Sequence, residues 1–137
     1  MRYITGTYAL NLPCALGTPG DWHFGAIDWL RVPFAESSES VYGDWGISVQ
    51  DVPGVGRVPV ADHLRATLDL IAAGKFSSAQ GMREYFIADE RFTQTIFDKV
   101  IRLRDARVDL WPAIDDFMGH EYLCDWLDFK ERVYATA

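Results

Sequence analysis

Two cysteines and three histidines are all the soft and imidazole ligands that this chain of 137 residues contains. Cys14 and Cys124 stand far apart and neither belongs to a CxxC pair. That spacing argues against a zinc knuckle and against a dithiol redox motif, and it points to two reduced thiols. There is no HExxH, no acidic loop in EF-hand order and no GxSxG elbow. The glycine-rich stretch Gly54–Val58 (GVGRV) lacks the GK[ST] of a phosphate loop, so it reads as a flexible turn. Basic residues are also scarce, with 13 Lys and Arg against 20 Asp and Glu and a formal net charge of −7. A chain with that balance has no phosphate-neutralising footprint, and direct nucleic-acid binding is not expected. No apolar run approaches the roughly 18 residues a membrane span needs, so no membrane partner is expected. No Lys- or Arg-led apolar run opens the sequence, and a cytoplasmic protein without a secretory signal is the expectation. Internal repeats and low-complexity segments are missing as well.

Apolar and aromatic residues are plentiful. Apolar side chains make up 49% of the chain and aromatic ones 14%, enough to build a core without staples. Five Trp, six Tyr and eight Phe exceed what one small core holds comfortably. Some of them are candidates for an interface. The length suits one domain over residues 1–137, β-rich over 1–58 and helical over 59–137. The first part is punctuated by Gly and Pro. Between them, Arg2–Leu10, Ala26–Phe34 and Trp45–Val52 have strand character, and Gln50–Pro59 reads as a loop. From Pro59 the period becomes helical. Leu64, Leu68 and Ile71 form one stripe, ending at Gly74. Ser77 or Ser78 is placed to cap a second helix with Met82, Tyr85 and Phe86 on one face. Asp89 caps a third, with Phe92, Ile96, Val100 and Leu103 in its stripe, and Asp109 a fourth with Pro112 in its first turn. A last helix from about His120 carries Leu123, Trp126, Leu127 and Phe129. The expected fold class is α+β: a small N-terminal antiparallel sheet followed by four or five packed helices.

Two Gly-Asp-Trp triplets, Gly20–Trp22 and Gly43–Trp45, stand out. The first continues into His23, and Asp21 and His23 have a spacing that metal sites use. Distant residues, His63, His120, Asp44 or Glu121, would have to complete such a site. The second triplet keeps the turn and loses the histidine. It therefore favours a structural role: Trp22 and Trp45 mostly buried, Asp21 and Asp44 bonded to backbone amides. No cofactor and no catalytic residue is assigned. The last third interleaves acids with aromatics, and Trp111, Asp115, Asp116, Tyr122, Asp125 and Trp126 form the candidate partner-binding set. Such a surface suits a basic protein groove.

The blocks YITGTYALNLPCALGTPGDWH (Tyr3–His23), HLRATLDLIAAG (His63–Gly74) and AQGMREYFI (Ala79–Ile87) resemble small bacterial proteins in which an ALN…GDWH block precedes an α-helical half. Such proteins are encoded beside nucleotidyltransferase-like toxins of the AbiEii type. The resemblance implies an antitoxin-like protein whose partner is a basic toxin, and it names no catalytic residues. Two other functions remain open at this point. One is a small metal-dependent hydrolase using Asp21 and His23, and the other is a phage-derived inhibitor acting as an acidic mimic.

Overall fold

The computed structural model describes residues 1–136. Strand β1 (Arg2–Ile4) ends after three residues because Gly6 takes φ +69°, and the chain turns into the short helix α1 (Gly6–Ala9). The expected strand over Arg2–Leu10 is therefore a strand followed by a helix. Ala26–Phe34 is not a strand either. The Asp28 carboxylate accepts from the Leu30 amide (3.1 Å), and the Asp28 carbonyl accepts from Arg31 N (3.1 Å). These local bonds compete with extended backbone, and only Phe34–Glu36 is left as strand β2. Strands β3 (Ile47–Val52) and β4 (Gly56–Ala61) form a hairpin in register from Ile47↔Ala61 to Val52↔Gly56. The segment expected as a loop is thus the turn and half of a hairpin. Pro59 lies in β4 opposite Val49 and does not start a helix. Asp62 makes the better start, since its side chain caps the Arg65 amide at 2.8 Å.

The sheet order is β2-β1-β4-β3. The outer pairs are antiparallel, but β1 and β4 run parallel through Ile4↔Val60, so the sheet is mixed and not antiparallel throughout. The class is α+β, as its residues suggest. Six helices follow the sheet: α2 (His63–Ala72), α3 (Phe76–Ala79), α4 (Thr93–Val100), α5 (Leu103–Ala106), α6 (Trp111–Tyr122) and α7 (Cys124–Thr136). Among the described residues no helix is long and apolar enough to cross a membrane.

Several sequence signals map onto these helices. Asp89 accepts from the Arg91 amide (2.9 Å) ahead of α4, and Ile96, Phe97, Val100 and Leu103 are buried. Pro112 sits in the first turn of α6. Other signals fail. Met82 and Phe86 are buried, but they lie on turns after the four-residue α3, and Tyr85 is exposed. Asp109 pairs with Arg107 (3.6 Å) and leaves α6 without a side-chain cap. His120 belongs to α6, and the break to α7 comes at Leu123. The basic run Lys99–Arg107 is occupied locally. Lys99 lies over the Trp45 ring (4.4 Å), Arg102 donates to Val41 O (2.8 Å) and Arg107 to Ala72 O (2.6 Å).

Helix α2 is buried on nearly every side, packed against α1, α3, α4 and β4. Its most demanding residue is Arg65, which is fully buried. Nε donates to Asp69 Oδ1 (3.0 Å), Nη1 to the carbonyls of Gly43 (2.7 Å) and Trp45 (2.6 Å), and Nη2 to Tyr3 Oη (3.0 Å). Asp69 Oδ2 in turn accepts from Tyr3 Oη (2.7 Å) and Thr5 Oγ1 (2.6 Å). Burial and the neighbouring Asp69 push the Tyr3 phenol up to about 12, against the pull of Arg65, so it stays a donor. One cation is thereby bonded to β1, to the turn before β3 and to the next turn of its own helix.

Gly46 packs directly against the Arg65 side chain. A Cβ there would lie 2.7 Å from Arg65 Cβ, and its φ of +74° disfavours any side chain. Gly46→Ala is expected to lower stability by about 2–4 kcal/mol in urea unfolding. Gly25→Ala, where a Cβ meets nothing within 4 Å, is expected to change it by less than about 0.5 kcal/mol. Equal losses at the two positions would contradict the packing described.

Candidate functional site

The two tryptophans of the Gly-Asp-Trp triplets are half-buried anchors. Trp22 donates Nε1–H to Ser78 O (2.7 Å) and packs on Phe86 with ring centroids 4.3 Å apart, and Trp45 packs against the core beneath Lys99. Asp21 and Asp44 are exposed, and among the described residues neither side chain bonds a backbone amide. The second triplet is closed by backbone alone, Trp45 N to Tyr42 O (3.1 Å) and Ile47 N to Asp44 O (3.3 Å). The expected capping role of Asp44 is therefore taken by main-chain turns, and at the first triplet Trp22 O instead accepts from the Asn11 side chain (2.5 Å).

The four ligand candidates do not converge. His23 is exposed at φ 52° with its ring edge-on to Trp22 (4.7 Å), beside an exposed Asp21. His120 donates Nδ1–H to Asp116 O (2.9 Å) on the outer face of α6. His63 is buried, with both ring nitrogens bonded within the protein. Among the described residues no three His, Cys, Asp or Glu side chains are placed to hold a metal ion.

The acidic–aromatic set divides into core and surface. Trp126 is fully buried and Tyr122 nearly so, both packed around Phe97 with centroids 5.2 and 4.8 Å away, and Phe129 stacks on Trp126. Asp115 accepts from Trp126 Nε1 (2.8 Å) and pairs with Lys130 (2.7 Å), so it serves the core. Trp111 is half-buried against Trp126. Of the six only Asp116 and Asp125 are exposed, and they lie 3.7 Å from His120 and Arg83 respectively.

That face carries two residues outside the acidic–aromatic set. Leu123 is 61% exposed and Leu127 50% exposed, and they border a shallow groove of about 520 Å³ between α6 and α7 with Pro112, Gly119 and His120. Trp126, Phe129 and Val133 form the inward stripe of α7, and Leu127 lies roughly 100° round the helix from Trp126. That offset was available in the sequence as the departure of Leu127 from the 126–129–133 spacing. Leu123 adopts φ 53° and ψ −128°, territory that costs a side chain about 1–3 kcal/mol. Asp116 and His120 are exposed beside the pair, Asp115 and Lys130 lie in the same groove, and Asp125 and Asp128 face a separate groove with Arg83 and Arg132.

Two further features were not legible from local motifs. A cleft of about 560 Å³ runs between β1–β2 and α2–α5, with Asp69 in its wall, but that carboxylate is already held by Arg65, Tyr3 and Thr5. At the other end of α2, Cys14, Thr18 and His63 meet. Cys14 Sγ is 3.5 Å from Thr18 Oγ1, Thr18 Oγ1 is hydrogen-bonded to His63 Nδ1, and His63 Nε2 lies 2.7 Å from Leu12 O. Burial pushes the Cys14 thiol up, but His63, Thr18 and the amides of His63 and Leu16 outweigh it and bring it from 9.0 to about 7. Burial pushes His63 down, and Cys14, the Leu12 carbonyl and Asp62 raise it above its usual value.

Comparison with family models, with curated proteins and with solved structures returns no match.

The division of the acidic–aromatic set is measurable. Trp126→Ala is expected to cost about 3–5 kcal/mol of stability. Asp116→Ala and Asp125→Ala are expected to stay within about 0.5 kcal/mol of the parent in the same unfolding assay. A mild Trp126→Ala would mean that the ring is not the centre of this cluster.

Proposed function

We propose that the chain is a protein-interaction module, an antitoxin-like partner that neutralises a nucleotidyltransferase-type toxin by laying the α6–α7 face on a basic surface. The observation that carries this reading is Leu123, an apolar side chain held exposed on a backbone conformation that glycine would adopt more easily. The fold gains little from a leucine there, whereas a docking surface gains an anchor. Leu127 doubles the apolar contact, and the exposed Asp116 beside it adds a negative charge that attracts a cationic partner. The net charge of −7 acts in the same direction at longer range and opposes direct contact with nucleic acid. The module works in the cytoplasm, where its two free thiols stay reduced.

Tagged protein expressed in its native host is expected to retain a basic nucleotidyltransferase-type protein, with retention falling as salt rises. Leu123→Gly is expected to keep stability within about 1 kcal/mol of the parent. Combined with Leu127→Ala, it is expected to weaken capture at least about tenfold. A chain that purifies alone, or a double variant that captures as well as the parent, contradicts this function.

A further inference from the structure

We propose that Cys14 is a site of covalent modification, a nucleophile deprotonated by His63 through the Thr18 hydroxyl and open to small electrophiles of the hydroperoxide class. Three side chains from two distant segments build it: Cys14 and Thr18 from the loop after α1, and His63 from the first turn of α2. The Leu12 carbonyl decides the tautomer. It accepts from His63 Nε2–H at 2.7 Å, so in the neutral ring Nδ1 is the acceptor. Thr18 donates to that nitrogen and accepts from the Cys14 thiol, which gives an unbroken path from sulfur to ring. When the thiol ionises, its proton passes to Thr18 and the Thr18 proton to Nδ1. The imidazolium then donates to Leu12 O and Thr18, and Thr18 donates to the thiolate. Every polar group in the path is partnered in both states. The sulfur also lies at the N-terminal end of a ten-residue helix, where the helix dipole favours an anion.

The ring of His63 is fully buried and Cys14 is half-buried, so a reagent reaches the sulfur from one side only and must be small. With hydrogen peroxide, the simplest of that class, the thiolate attacks one peroxide oxygen. An S–O bond forms and the O–O bond breaks, and sulfur loses the two electrons that the peroxide gains. The departing hydroxide takes the proton held on His63. The products are a Cys14 sulfenic acid and water, with His63 neutral again. Cys124 is exposed at the start of α7 and serves as the internal reference thiol.

The test uses the full chain treated with hydrogen peroxide and dimedone, with adducts counted by mass spectrometry between pH 5.5 and 9. Cys14 is expected to be trapped ahead of Cys124 at pH 7, with a rate that is half-maximal near pH 7. Thr18→Val interrupts the path at a half-buried position and spares the buried ring. It is expected to slow trapping at pH 7 at least about fivefold, the gain in thiolate fraction after allowance for the lower nucleophilicity of a more acidic thiol. His63→Gln, where it folds, is expected to slow it likewise. A Cys14 profile half-maximal at or above about pH 8.5, as for a free thiol, overturns the proposal. So does a Thr18→Val protein that is trapped as fast as the parent.

Discussion

A single guanidinium, buried in the helix at the centre of the molecule, decides how sheet and helices meet. Arginine keeps its charge in any protein interior, so burying Arg65 obliges the chain to surround it with oxygen. The oxygens come from Tyr3 in β1, from the carbonyls of Gly43 and Trp45 before β3, and from Asp69 one turn along α2. Removing one partner of such a pair costs about 3–5 kcal/mol, because the other charge is left stranded. The contacts of Ile4, Leu68 and Ile71 supply burial, but burial has no direction. The hydrogen bonds of Arg65 do, and they specify which segments meet and at what height along the helix.

The two ends of the molecule differ in how they are held. Near α2 the connections are polar and specific. The same helix that presents Arg65 to the sheet presents His63 to the loop after α1, where Leu12 O, Thr18 and Cys14 line up on the ring. Toward the C-terminus the connections are aromatic. Phe97, Tyr122, Trp126 and Phe129 pack together, with Asp115 shared by Trp126 and Lys130 at one edge and Arg83 over the Tyr122 ring at another. Beside that cluster, the groove between α6 and α7 keeps Asp116 and two leucines in water. In the proposed function that groove joins an apolar anchor to a negative charge.

Much of the helical part was legible in the sequence. The Leu64–Leu68–Ile71 and Phe92–Leu103 stripes follow from a period of 3.6 and are buried, and Asp89 caps the turn that leads into α4. The β-rich part was less legible, because short strands yield to single local competitors. Gly6 ends β1 and the Asp28 turn removes most of β2. Pro59 looked like a helix start because its fixed φ suits both a first helical turn and an extended strand. The Asp62 cap three residues on distinguishes the two. The site residues were least legible of all. Arg65 reads as a surface position in an amphipathic helix until β1 and the Gly43–Trp45 turn close over it. Cys14 and His63 carry no local motif, since only the packing of the loop against α2 brings them together. Trp126 and Tyr122, taken for part of a docking surface, are core because Phe97 of another helix fills the space between them.

The direct test of this account is a double-mutant cycle on Arg65 and Asp69, with Arg65→Met, Asp69→Asn and the double variant compared with the parent in urea unfolding. Each single change strands a partner, so the double change should cost less than the sum of the two, with a coupling of about 2–3 kcal/mol. Additivity to within about 0.5 kcal/mol would contradict the claim that this buried pair organises the fold.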